Sequence, residues 1–186
     1  MAASAPPRFR LLTTLLIVTA VWVALAWPWL SETVTVPWDA KAHFQPQFAF
    51  LAQSFARGES PFWTPYVFAG HPQIADPQSL IFSPPFLLMG LLLPSPGLVE
   101  MDAVLLGSLL VGSWFIVLYF RDRQWHEAAA IVAALSFAFG GAAAWRIQHV
   151  GQVLSVAYFP IALWLLDRAL QRSSARYGLL AGIVAG

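Results

Sequence analysis

LLTTLLIVTAVWVALAWPWL, Leu11–Leu30, holds no charged residue. A helix of this length rises about 30 Å, the thickness of a bilayer's hydrocarbon. Arg8 and Arg10 precede it and Ala24-Leu25-Ala26 resembles a cleavage triplet, so a signal peptide has to be weighed. The run exceeds the roughly 7–15 apolar residues of such a segment. It therefore reads as a retained membrane anchor.

Working outward, further apolar runs at 98–120, 128–145 and 153–170 also have the length of spans, and 177–186 begins another. Composition agrees. Hydrophobic residues make up 59% and charged residues only 10%, where soluble domains carry about a quarter charged residues. The expectation is an all-α, polytopic transmembrane helical bundle forming one membrane domain over 1–186. Because the last run is half a span long, the chain reads as the N-terminal portion of a longer protein. A stretch at 81–93 is broken by Pro84-Pro85 and closed by Pro94 and Pro96. Too short to cross, it reads as a re-entrant or interfacial helix.

Orientation follows from the cations, since cytoplasmic loops retain Lys and Arg. With the N-terminus inside, Arg8, Arg10, Arg121, Arg123, Arg168, Arg172 and Arg176 are cytoplasmic, against Lys41, Arg57 and Arg146 outside. Seven against three favours that topology, which makes 31–79 a large extracytoplasmic loop. A net charge of +1 with no basic stripe excludes nucleic acid as a partner. The absence of cysteine removes disulfides and thiol chemistry.

Within the loop, Phe44, Phe48, Leu51 and Phe55 recur at helical spacing and end at Gly58, predicting an amphipathic helix over about 40–57 lying on the membrane surface. Pro46 belongs in its first turns or starts a second segment. From 59 to 79, five prolines and glycines predict an ordered irregular loop. Trp63, Tyr66 and Phe68 can anchor it among lipid headgroups.

Nearly all the chemistry-bearing side chains sit in this loop. Asp39 is the foremost candidate, as a carboxylate just beyond a span that can take a proton; before a helix, however, aspartate is a favoured N-cap, and local sequence favours that role. His43 follows at i+4, on the same face of a continuous helix, where it could share a proton or metal. It reads more readily as a solvated interfacial residue than as a ligand. His71 and Asp76 add ligand types, but their Gly and Pro neighbours mark turns in which aspartate binds its own backbone. The sequence assigns no cofactor, and a divalent metal near Asp39 or Asp76 stays open. Arg146 and His149 share the second outward turn. Arg146 beside Trp145 fits an interfacial anchor, or a phosphate holder through charge-assisted hydrogen bonds. Asp167 is expected to pair with Arg168 or Arg172.

The order of these features, with GESPFWTPYVFAGHPQIADPQ at 58–78 and SFAFGGAAAWRIQHVGQVLSVAYFPIALWLLDRAL at 136–170, resembles the YfhO-like bacterial membrane proteins of the GT-C glycosyltransferase superfamily. The resemblance touches most of 38–170. It implies a multi-pass enzyme of the bacterial inner membrane that transfers a sugar, with inversion, from a polyprenyl-phosphate carrier to an extracytoplasmic acceptor. It further implies that Asp39 is the general base, that His149 is the family's histidine of the second outward loop and that basic residues hold the lipid phosphate; Arg146, His149, His43 and His71 are the candidates for substrate binding. No second acid stands beside Asp39, and a portion this short is expected to be inactive alone. The rival is a non-enzymatic scaffold or transporter subunit whose loop docks a partner; transporters place ionisable groups at mid-membrane, and these spans hold few.

Overall fold

A computed structural model describes residues 10–185; Arg8, counted among the cytoplasmic cations, lies outside them, as does Gly186 at the end of the last run. The helices are α1 (Leu11–Leu30), α2 (Gln45–Arg57), α3 (Pro84–Leu92), α4 (Leu98–Asp122), α5 (Glu127–Phe139), α6 (Gly141–Arg146), α7 (Val150–Arg172) and α8 (Ala175–Ala185). The described chain is all-helical apart from its loops. By length and composition, Leu11–Leu30, Leu98–Asp122, Glu127–Arg146 and Val150–Arg172 are able to cross a membrane. Leu12, Leu16, Val132, Leu163 and Leu170 stand exposed along them, as apolar side chains do where lipid is the neighbour.

Several helix ends differ from those read off the sequence, for local reasons. α3 starts at Pro84 because proline suits the first helical turn and holds the residue before it extended; Ser83 is indeed extended. Ile81 stays outside the helix, yet buried. His126 caps α5, its Nδ1 accepting the Ala128 N–H at 3.2 Å. The third span is interrupted at Gly140, whose extended backbone separates α5 from α6. α7 begins at Val150, three residues earlier than expected, because the His149 carbonyl already accepts the Gln152 and Val153 amides.

The described residues gather into two compact units. The first comprises the chain up to Leu25, Leu109–Ala144 and the chain from Ser155 on. Here Ala130, Ala134 and Ala138 are buried along one face of α5, as small residues are where helix backbones approach closely. Ser113 Oγ lies 2.9 Å from both the Leu109 and Ala134 carbonyls, and Trp114 Nε1 donates to Thr19 Oγ1 at 3.0 Å. At Gly112 an added Cβ would stand 2.8 Å from both the Ala157 carbonyl oxygen and a ring carbon of Phe137. Gly112→Val is therefore expected to cost about 1–3 kcal/mol through overpacking, read as a lower thermal midpoint in detergent. Gly107→Ala, elsewhere in α4 where no atom lies within 4 Å of the new Cβ, should hold or raise that midpoint, since alanine suits a helix interior better than glycine. Equal shifts would contradict this packing.

The same unit corrects the expected Asp167 pairing. Asp167 pairs with Arg123 of the α4–α5 turn and accepts Gln171 Nε2 at 2.7 Å. Arg168 turns instead to Asp122, with Nε 2.6 Å from Oδ2. Adjacent helical residues point about 100° apart, so Asp167 and Arg168 meet different neighbours.

The second unit comprises Ala26–Ser108 and Trp145–Leu154. Residues Ala40–Phe44 form a π turn, closed by the Gln45 N–H on the Ala40 carbonyl. Pro46 explains the widening, since it has no N–H to offer and its ring would press on the carbonyl four residues back. It opens α2 as a second segment. α2 ends in a Schellman motif at Gly58 (φ 66°), with Glu59 N–H on the Ser54 carbonyl at 2.8 Å. Its apolar stripe is covered by protein: Phe48 meets the Phe86 ring edge-on at 4.7 Å, and Gly90 of α3 lies against Leu51, Ala52 and Phe55.

Candidate functional site

Asp39 follows Trp38, whose backbone adopts φ +58°, an uncommon conformation for a non-glycine residue. The Trp38 carbonyl accepts the Lys41 and Ala42 amides at 3.1 and 2.8 Å, so the chain reverses sharply into the π turn. Upstream, the segment is pinned by a buried carboxylate. Both oxygens of Asp102, at 3.3 and 3.1 Å, accept the Val36 N–H, and Asp102 is 1% exposed. Asp102 thus fixes the approach to Asp39 from within α4.

The N-cap role favoured by local sequence is not the one adopted, for the Asp39 side chain makes no cap hydrogen bond. Because Asp39 has helical φ and ψ, it lacks the extended geometry from which an N-cap side chain folds back onto the first amides. Its Oδ2 lies instead 3.2 Å from His149 Nδ1. His149 is presented by the turn between α6 and α7, where its N–H bonds the Arg146 carbonyl at 2.8 Å. Both side chains keep access to solvent, at 56% and 34% exposure. The second oxygen of Asp39 accepts no hydrogen bond from the described residues. Arg146, at the C-terminus of α6, is exposed and donates to Gln152 Oε1 at 3.3 Å. It forms no ion pair with a carboxylate among the described residues.

His43 does not join this pair. The π turn disrupts the i, i+4 register, and His43 Nε2 lies 3.2 Å from Gln47 Nε2. His71 and Asp76 do meet, at 3.3 Å, while the other Asp76 oxygen accepts the Gln78 N–H at 2.8 Å in the expected turn. Paired backbone bonds between Thr64 and His71 fold this loop on itself. Of the six candidates, Asp39 meets His149, Arg146 ends α6 three residues before His149 with its side chain on Gln152, and His43, His71 and Asp76 lie along a groove beside α2.

No three His, Asp or Glu side chains converge among the described residues. The residue missed by sequence reasoning is Asp102. Its signal was present, since a carboxylate one turn inside an apolar span marks a functional position.

Comparison with known proteins returns no matching family model, no matching curated protein and no matching solved structure.

Proposed function

We propose that the protein is an integral-membrane glycosyltransferase of the GT-C type, resembling the YfhO-like proteins and acting at the outer face of the bacterial inner membrane with its N-terminus cytoplasmic. The observation that carries this reading is the pairing of Asp39 with His149, whose backbone N–H bonds the carbonyl of Arg146. His149 holds one carboxylate oxygen and leaves the other for an acceptor hydroxyl, which a general base must reach within about 3 Å. As the acceptor oxygen attacks the anomeric carbon, its proton passes to Asp39. The carbon–oxygen bond to the lipid phosphate breaks on the opposite face, its electron pair stays with the phosphate, and configuration inverts. Arg146 provides planar, charge-assisted donors for that phosphate.

The test is mass spectrometry of lipids retained by the purified full-length protein. Polyprenyl phosphate is expected to co-purify. Arg146→Gln should reduce its occupancy about 10- to 100-fold, the range implied by losing hydrogen bonds to a charged group. No polyprenyl phosphate on the native protein, or equal amounts on both, would overturn the proposal.

A further inference from the structure

We infer that the turn between α7 and α8 binds the headgroup of an anionic diacyl phospholipid through Arg172 and Arg176. The site goes beyond the transfer reading and shares no residue with Asp39, His149 or Arg146.

The turn is built by a Schellman motif. Ser173 takes φ +48°, and the Ser174 N–H closes back on the Ala169 carbonyl at 3.0 Å. The reversal lays α8 against α7, where a Cβ on Gly178 would stand 3.9 Å from that of Ala169. Arg172 closes α7 and Arg176 enters the first turn of α8, and both are exposed. The Arg172 guanidinium lies 5.7 Å from the centre of the Tyr177 ring, which keeps it at the turn.

Charge identifies the headgroup. The carboxylates at this end of the first unit are already engaged, Asp122 with Arg168 and Arg121, Asp167 with Arg123, and Glu127 as acceptor of the Thr14 hydroxyl. Arg172 and Arg176 form no ion pair with a carboxylate among the described residues. Guanidinium groups without a counter-charge offer planar, charge-assisted donors that match phosphate oxygens.

The apolar surroundings select a lipid over a free anion. Leu179, Leu180 and Ile183 follow Arg176 by three, four and seven residues, which puts them on its face of α8, and all three are exposed. No charged residue follows Arg176 in the helix. On α7, Leu166 and Leu170 are likewise exposed just before Arg172. A cationic head above exposed leucines on two helices is the complement of an anionic headgroup above its acyl chains. Depth agrees as well. Trp125, half exposed at this same end, meets the Tyr119 and Phe120 rings edge-on at 5.8 and 4.9 Å, and such aromatics sit at the level of lipid headgroups.

Native mass spectrometry of the full-length protein in detergent tests this, with dioleoyl phosphatidylglycerol and dioleoyl phosphatidylcholine as probes. The anionic lipid is expected to bind more tightly than the zwitterionic one, and glycerol 3-phosphate, a phosphate without chains, should not displace it. A cation near a lipid surface contributes about fivefold in affinity. Arg176→Gln alone should therefore weaken phosphatidylglycerol about fivefold, and Arg172→Gln with Arg176→Gln roughly 30-fold, while phosphatidylcholine is unchanged. Arg172→Lys with Arg176→Lys should retain most of the binding. Lys41→Gln with Arg57→Gln removes the same charge elsewhere and should have no effect. Equal affinity for the two lipids, displacement by glycerol 3-phosphate, undiminished binding in the Arg172 and Arg176 glutamine variants, or an equal loss in the Lys41 and Arg57 variant would overturn the inference.

Discussion

Asp39→Asn in the full-length protein is expected to lower sugar transfer about 10²- to 10⁴-fold, the contribution of a positioned general base. The substitution preserves size, and the asparagine oxygen can still accept from His149 Nδ1, which stands 3.2 Å from the carboxylate. The capacity to take a proton is what disappears. Since Asp39 makes no cap bond, helix stability should not fall with it, and yield and thermal midpoint should match the native protein. Transfer from a labelled polyprenyl-phosphate sugar in membranes, normalised to protein, reads the effect. Activity retained within a few-fold would remove Asp39 as the base. Loss of activity together with loss of folding would assign it a structural role.

The largest stability effect is expected at Asp122. Its carboxylate accepts from Arg168 Nε at 2.6 Å and Nη2 at 3.2 Å, from Arg121 Nη2 at 3.1 Å and from Trp164 Nε1 at 3.0 Å. Asp122 and Arg168 are each only 13% exposed. Arg168 also stacks over the Trp164 ring at 4.1 Å and donates to the Tyr177 hydroxyl at 3.3 Å, so α4, α7 and α8 meet around one ion pair. Asp122→Ala leaves that part-buried guanidinium without its counter-charge and removes its charge-assisted hydrogen bonds, a loss of about 1.5–3 kcal/mol. For a chain of this size the thermal midpoint should fall by roughly 3–12 °C. Asp122→Ala with Arg168→Ala should cost less than the sum of the two single changes, because the double variant leaves neither charge without its partner. Additive losses, or an unchanged midpoint for Asp122→Ala, would show that the pair does not hold these helices.

Much of the helical framework was legible because its signals are local. Leu11–Leu30 announced its ends by an unbroken apolar run, and Gly58 closed α2 where the stripe of Phe44, Phe48, Leu51 and Phe55 ended. The destination of that stripe was not legible. Periodicity tells which residues share a face, and it is silent on whether lipid or α3 covers it. Likewise the i, i+4 spacing of Asp39 and His43 suggested a shared face, but the π turn imposed by Pro46 separated them. Asp167 and Arg168 looked like partners by adjacency, and helical rotation sent each elsewhere.

By itself, then, the sequence determined which stretches are helical and apolar enough to span a membrane, and that one polar, aromatic segment lies between them. Those properties depend on composition and repeat over neighbouring residues, and backbone hydrogen bonding within a helix is satisfied locally. Tertiary structure alone decided that Asp39 meets His149, that Asp102 grips Val36 and that Asp122 meets Arg168. Each of these pairs spans dozens of residues of chain. No periodicity links their members, so only the packing of whole helices can bring their charges within hydrogen-bonding distance.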